Sequence, residues 1–142
     1  MPESVRDRCT KSHEYIFLFS KSRDYYFDVD SIKIPTVDGN GLKRRRSVWD
    51  TKLKPYKGAH FATYPPELIE PCILAGSAKG DIVLDPFMGS GTTAMVAKSL
   101  GRDYIGCELH EDYGNLIQQR IGEYEPVEEV SQEPTVNILD LI

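Results

Sequence analysis

Residues 60–122 predict an α/β fold with parallel strand pairing, preceded by an N-terminal β-hairpin. Three observations carry this expectation. Helical and strand-like segments alternate in the second half of the chain. An apolar run ends abruptly in a glycine turn at "IVLDPFMGSGTT", residues 82–93. Near the N-terminus, two aromatic and β-branched runs flank a polar turn.

The hairpin comes first. Glu14–Phe19, "EYIFLF", is apolar without a break and reads as a buried strand. "SKSRD" then supplies a turn and "YYFD" returns to β-type residues. Residues 35–58 change character: prolines, glycines and the cluster Lys43, Arg44, Arg45, Arg46 predict a long basic loop. "HFATYPPELIEPCILAGS" reads as a helix entered at Pro65 or Pro66 and stopped at Gly76. Pro71, lacking an N–H, predicts a kink or a later start. Next come a strand at Asp81–Asp85, a helix at Thr92–Leu100 closed by Gly101, and a strand at Asp103–Glu108. A helix at Glu111–Ile121 follows, with Leu116, Ile117 and Ile121 as its apolar face. Residues 123–142 form an acidic segment with two prolines, expected to be disordered.

At 142 residues the chain is about one domain. No apolar run approaches ~18 residues, so no membrane span is expected. The three cysteines, Cys9, Cys72 and Cys107, lack metal-ligand spacing. They read as small buried hydrophobes in a reducing cytoplasm, and no metal is expected. Net charge is −5, but residues 1–60 hold 13 Lys and Arg against 8 Asp and Glu, and the remainder hold 4 against 14. The basic half can face a polyanion.

The glycine turn is where the chemistry collects. A strand ending in an acid, then Gly-x-Gly, then a helix holds nucleotide-like ligands at the carboxyl edge of α/β sheets. Gly89 and Gly91 let the backbone approach closely, and Thr92 and Thr93 open the next helix and can cap it. The stretch lacks the Gly-Lys-Ser/Thr of a phosphate loop. Glu108, at the end of the following strand, can accept from two ribose hydroxyls. Asp85 beside the turn would repel a pyrophosphate. The pair therefore favours a phosphate-free, cationic nucleoside, S-adenosylmethionine.

"DPFMGSGTT" followed by "GRDYIGCEL" resembles the cofactor motifs of the DNA amino-methyltransferases, which modify adenine N6 or cytosine N4. "HFATYPPELI" is similar to that family's methionine-binding motif, and "RDRCTKSHEYIFLFSKSRDYYFD" to the segment after its catalytic region. This order matches the permuted subgroup, over roughly residues 5–122. The resemblance implies a partial Rossmann-like S-adenosylmethionine-dependent methyltransferase fold, double-stranded DNA as substrate and a role in restriction-modification. It places Asp85, Phe87, Gly89 and Gly91 along the cofactor, with Thr92 and Thr93 at its amino-acid end. Glu108 would hold the ribose and Leu109 cover the adenine. His60, Ala62, Tyr64 and Pro65 would approach the methionine moiety. The basic loop falls where the family inserts its target-recognition region. Lys43, Arg44, Arg45 and Arg46 would contact phosphates, and Trp49 or Tyr56 would stack.

The family's Asp/Asn/Ser-Pro-Pro-aromatic catalytic motif does not occur in these residues. The one Pro-Pro, in "TYPPEL", belongs to the methionine motif. No catalytic residue is assigned. The chain is expected to be a C-terminal part: one half of a split enzyme, a truncation, or a remnant that binds without catalysing. A Rossmann-type domain for another adenosine ligand is the remaining alternative. Two parallel strands and a hairpin cannot cover both faces of a doubly wound core, so a complementary chain or homodimer is expected to complete the fold.

Overall fold

The computed structural model describes residues 6–52 and 64–123. The expected positions Tyr56, His60 and Ala62, and nearly all of the acidic segment, lie outside them. A two-residue antiparallel ladder, β1 (Ile34–Pro35) with β2 (Leu42–Lys43), comes first. Three helices follow, interleaved with a parallel pair: α1 (Pro66–Gly76), β3 (Ile82–Asp85), α2 (Thr92–Ser99), β4 (Asp103–Gly106) and α3 (Tyr113–Glu123). β3 and β4 pair in register from Ile82 with Asp103 to Asp85 with Gly106.

The core centres on α2. Its residues Thr92 through Ala97 are all buried, and both α1 and α3 pack against it. The small side chains Ala94 and Ala97 allow that close approach, and Ile73, Met88, Met95, Val96 and Ile121 fill the space between. Val83 and Tyr104 turn inward from the sheet toward this cluster. Strand alternation sends Ile82, Leu84 and Ile105 the other way, where they are 62%, 64% and 53% exposed. One face of the sheet is thus covered and the other is bare.

A buried arginine locks two loops together. Arg102 is buried, and its guanidinium donates to the Ser77 carbonyl (2.7 Å), the Ser77 hydroxyl (3.3 Å) and the Leu100 carbonyl (2.5 Å). This ties the end of α1 to the α2–β4 turn. Gly101 closes that turn with φ 74°.

Several expectations are corrected. Tyr15–Phe19 forms no ladder, and its residues Tyr15 through Phe19 are 57–85% exposed. The backbone is nevertheless extended: Tyr15 stacks along Phe17 at 6.0 Å and Phe17 along Phe19 at 6.1 Å, the repeat of alternate residues on one strand face. Strand propensity is present; a hydrogen-bonding neighbour is not, among the described residues. The basic loop is partly ordered, because Thr36 donates to the Gly41 carbonyl at 2.9 Å and closes the turn between β1 and β2. Pro71 neither delays nor ends α1. Its ring is buried within a continuous helix, where it offers no N–H to the carbonyl one turn back. Cys9 and Cys107 are exposed and Cys72 is half-buried, so none is a core residue.

Candidate functional site

β3 and β4 end side by side, which brings Asp85 and Glu108 to the same edge of the sheet. The backbone stitches the two strand ends together. Cys107 N–H donates to the Asp85 carbonyl (3.0 Å), and Met88 N–H donates to the Cys107 carbonyl (2.9 Å). The Met88 side chain packs onto Gly106, where an added Cβ would lie 2.0 Å from Met88 Cε and 3.1 Å from Met88 Cγ, so a larger residue there would require the methionine to move.

The turn between β3 and α2 folds back on itself. Gly89 (φ 52°) and Gly91 (φ 82°) occupy the left-handed region, which favours glycine. Gly91 also abuts α3, where a Cβ would sit 3.1 Å from both Ile117 Cγ1 and Cγ2. Arg120, buried on α3, donates to the Ser90 carbonyl at 3.0 Å and also bonds the Ser90 hydroxyl. The turn is thereby clamped between the sheet edge and α3.

Its amides point inward. Gly89 N–H donates to Glu108 Oε2 at 2.8 Å and Gly91 N–H to the Met88 carbonyl at 2.9 Å. In the turn that leads into α2, a place where other folds seat phosphates, the Gly89 amide is taken by the protein's own carboxylate. Asp85 Oδ2 accepts from Thr93 Oγ1 at 2.5 Å, and Oδ1 accepts from Phe87 N–H at 2.9 Å. Thr92 and Thr93 therefore do not cap α2 as expected: the N-cap is Gly91, which makes no side-chain cap bond, and the Thr93 hydroxyl is bonded to Asp85. A pyrophosphate would meet a carboxylate and spent amides.

Glu108 accepts His110 N–H at 2.8 Å through Oε1 and Gly89 N–H through Oε2. These bonds, that from His110 first, then Gly89 and Leu109, hold its carboxyl below the ordinary value of 4.5. A carboxylate oxygen can accept more than one hydrogen bond, so each keeps acceptor capacity beyond its one backbone amide. Phe87 and Leu109 flank this edge at 87% and 92% exposure. Neither contributes to the core, despite their apolar character.

Tyr64, beside the N-cap Pro65 of α1, reaches across to the same edge. Its hydroxyl contacts Thr93 Oγ1 and lies 3.5 Å from Asp85 Oδ2. Burial, the largest cause, and the Asp85 charge push its pKa up, so the phenol stays protonated at neutral pH. The structure thus gathers Tyr64, Pro65, Asp85, Phe87, Gly89, Gly91, Thr92, Thr93, Glu108 and Leu109 into one region. Arg120 and Ile117 were not anticipated as supports of this site. The signal for Arg120 was its position: it shares the helical stripe of Leu116, Ile117 and Ile121 and so must face inward.

The basic cluster lies elsewhere. Arg45 donates to the Ile32 carbonyl at 3.3 Å, and its guanidinium lies 5.3 Å from the Trp49 ring centre. Trp49 donates to the Arg46 carbonyl at 2.7 Å. Arg45 and Trp49 hold the loop together, whereas Arg44 and Arg46 are exposed.

Comparison with known proteins places this geometry. The type II methyltransferase M.SmaI of Serratia marcescens is 53% identical over 121 residues, covering 84% of this chain and 41% of the relative. M.XycI of Xanthomonas campestris pv. cyanopsidis is 51% identical over 121 residues, covering 85% and 40%. The chain spans about two fifths of the length of these curated relatives. The crystal structure of M1.HpyAVI in complex with SAM is 31% identical, aligns with a TM-score of 0.50, and matches 69% of this chain and 44% of that one. The sequence profile of the DNA methylase family (N6_N4_Mtase) matches residues 1–119, and the chain belongs to that family of N6/N4 DNA methylases.

Proposed function

We propose that this chain is the cofactor-binding part of a DNA methyltransferase that moves a methyl group from S-adenosylmethionine to the exocyclic amine of adenine or cytosine. The observation that carries this reading is the pair of carboxylates at adjacent strand ends, Asp85 and Glu108, around a turn whose amides at Met88, Gly89 and Gly91 are already used.

The donor set fits the group. Glu108 offers one further acceptor site per oxygen, suited to two vicinal ribose hydroxyls. Asp85, oriented by Thr93, Tyr64 and Phe87 N–H, suits an ammonium. Phe87 and Leu109 offer exposed apolar surface to a purine ring. The bound cofactor supplies an electrophilic methyl on a sulfonium. The roles of these residues, and of His60 and Ala62, are part of the proposal. Gly91 lets the turn lie against Ile117 of α3, and Arg120 keeps the turn closed through Ser90.

An exocyclic amine is a weak nucleophile because its lone pair is delocalised into the base. Acceptors for its hydrogens are needed, and this sequence has no Asp/Asn/Ser-Pro-Pro-aromatic run to provide them. A complementary chain supplies them in this reading. Arg44 and Arg46, with Lys43, contact double-stranded DNA phosphates, and the protein works in the cytoplasm as part of a restriction-modification pair. Among the described residues no helix is long and apolar enough to cross a membrane.

Calorimetry with S-adenosylmethionine and with NAD tests the site, followed by transfer of radiolabelled methyl to DNA with and without the complementary chain. Binding of NAD in preference to S-adenosylmethionine overturns the reading.

A further inference from the structure

We propose that the acidic segment 124–142 of this chain docks on the basic strap that carries Lys43, Arg44 and Arg46, and there competes with DNA. The inference rests on the reading above, in which the strap meets phosphates, and adds a regulator of that surface.

The strap is built to present charge. β1 and β2 hold its base. Arg45 turns its guanidinium to the Ile32 carbonyl (3.3 Å) and the Trp49 ring (5.3 Å), and Trp49 donates to the Arg46 carbonyl (2.7 Å). With the middle arginine anchored, Arg44 and Arg46 stand exposed on either side of it, and Lys43 is half-buried. Asp30 lies within range of the Arg44 charge, but Lys33 already pairs with it at 2.6 Å. Apolar side chains stand in water along the same stretch: Leu42 is 55% exposed, Val48 86% and Val37, in the turn between β1 and β2, 97%. The surface therefore interleaves cations with apolar groups.

The segment supplies the complement. Residues 124–142, "YEPVEEVSQEPTVNILDLI", hold Glu125, Glu128, Glu129, Glu133 and Asp140 and no Lys or Arg. In "EPVEEV" the acids alternate with valines, so the segment matches the strap in charge and in its mixture of apolar groups. A phosphate backbone answers the cations alone. The segment lies beyond residues 1–119, the part that matches the methylase profile. Reach is not limiting: α3 ends at Glu123, and residues 124–142 span up to roughly 60 Å, against a radius of gyration of about 13 Å for a unit of ~100 residues. Single exposed ion pairs are weak, but several on one tether act at an effective concentration on the order of millimolar. A free acidic peptide or a second copy lacks that advantage, which makes this chain's own segment the occupant. Duplexes held by phosphate contacts alone are then displaced, and those making further contacts are kept.

A water-soluble carbodiimide joins lysine amines to carboxylates that touch them. The full chain, mixed as ordinary and heavy-isotope copies, is treated with it, and the links are read by mass spectrometry. We expect amide links between Lys43 and the glutamates of the segment, within single copies, and none at Lys98, which is exposed on α2. A DNA duplex should abolish them. Duplex affinity is read by fluorescence anisotropy at about 50 mM salt. Glu125→Gln, Glu128→Gln, Glu129→Gln and Glu133→Gln together should raise it about tenfold. Asp7→Asn, Glu14→Gln, Asp24→Asn and Glu111→Gln, at exposed acids elsewhere, change the net charge equally and should raise it far less. Links at Lys98 as frequent as at Lys43, or links only between copies, overturn the proposal. So do equal gains from the two quadruple variants, or links that survive saturating duplex. Links at Lys43 while the segment variant binds no duplex sink the phosphate-contact reading and leave the docking standing. Duplex binding that is lost in Arg44→Ala with Arg46→Ala, without any link at Lys43, sinks the docking alone.

Discussion

Replacing Gly91 by alanine tests whether the cofactor turn is clamped by α3. Two effects add at this position. The backbone sits at φ 82°, and an L-residue forced into that region loses about 1–2 kcal/mol. The new Cβ also lies 3.1 Å from both Ile117 Cγ1 and Cγ2 and 3.3 Å from its Cα, so the helix backbone itself must give. Overpacking of this kind costs about 1–3 kcal/mol. Gly80 supplies the control: its φ is 86°, and nothing lies within 4 Å of an added Cβ. Gly80→Ala should therefore show the backbone effect alone, about 1–2 kcal/mol, and Gly91→Ala about 2–5 kcal/mol. Urea unfolding of the full chain, followed by circular dichroism at constant slope, reads both. In the double variant Gly91→Ala with Ile117→Ala, the two branch carbons are gone and part of the loss should be recovered. Equal losses for the two single alanines, within about 0.5 kcal/mol, would show that Ile117 does not press on the turn.

Four further outcomes follow from the same geometry. Glu108 has a folded pKa below its ordinary 4.5, so its contribution to stability is fully present above that value and lost as pH falls through the lower one. The stability gap between the wild type and Glu108→Gln should shrink on acidification below about pH 4.5, and a gap that widens refutes the assignment. Tyr64→Phe leaves Thr93 bonded to Asp85 but removes the second hydroxyl; S-adenosylmethionine affinity measured by calorimetry should fall about 3- to 10-fold, the worth of roughly one neutral hydrogen bond. Arg44→Ala and Arg46→Ala should each lower the salt slope of DNA binding by about one, measured by fluorescence anisotropy. Arg45→Ala should instead lower the stability of the loop, because its guanidinium is tied to Ile32 and stacked on Trp49; an unchanged melting profile would contradict that role.

Local signals in the sequence located the second half of the fold well. Pro66 opened α1, Gly101 closed the turn after α2, and the β-type residues Ile82–Leu84 and Tyr104–Ile105 marked the strands. Each of these depends on a residue's own backbone preference or on a short repeat. What stayed hidden depends on partners distant in sequence. Tyr15–Phe19 has the composition of a buried strand, but burial and pairing belong to its neighbours. Arg120 finds its partner, Ser90, thirty residues back in the chain. The threonines at 92 and 93 carried the right side chains for capping. The carboxylate eight residues back competed for the hydroxyl of Thr93 and won, since a charged acceptor makes the stronger bond. In the turn, Gly89 and Gly91 were legible because few other residues adopt their positive φ.

The described residues divide into a side whose polar groups are matched and a side whose apolar groups are not. On the helical side polar groups are matched: Arg102 with Ser77, Arg120 with Ser90, Asp85 with Thr93, Glu108 with Gly89. Among the described residues no buried side-chain nitrogen or oxygen is left without a hydrogen bond. On the sheet side apolar groups are not matched: Ile82, Leu84, Ile105 and the whole run Tyr15–Phe19 stand in water. Hydrogen bonds are directional and can be closed within a small unit, so the carboxylates and the turn reach their final geometry without further strands. Hydrophobic burial is not directional and requires area, which two strands do not have. The polar edge at Asp85 and Glu108 is therefore preorganised within the described residues, while one face of their sheet stays uncovered.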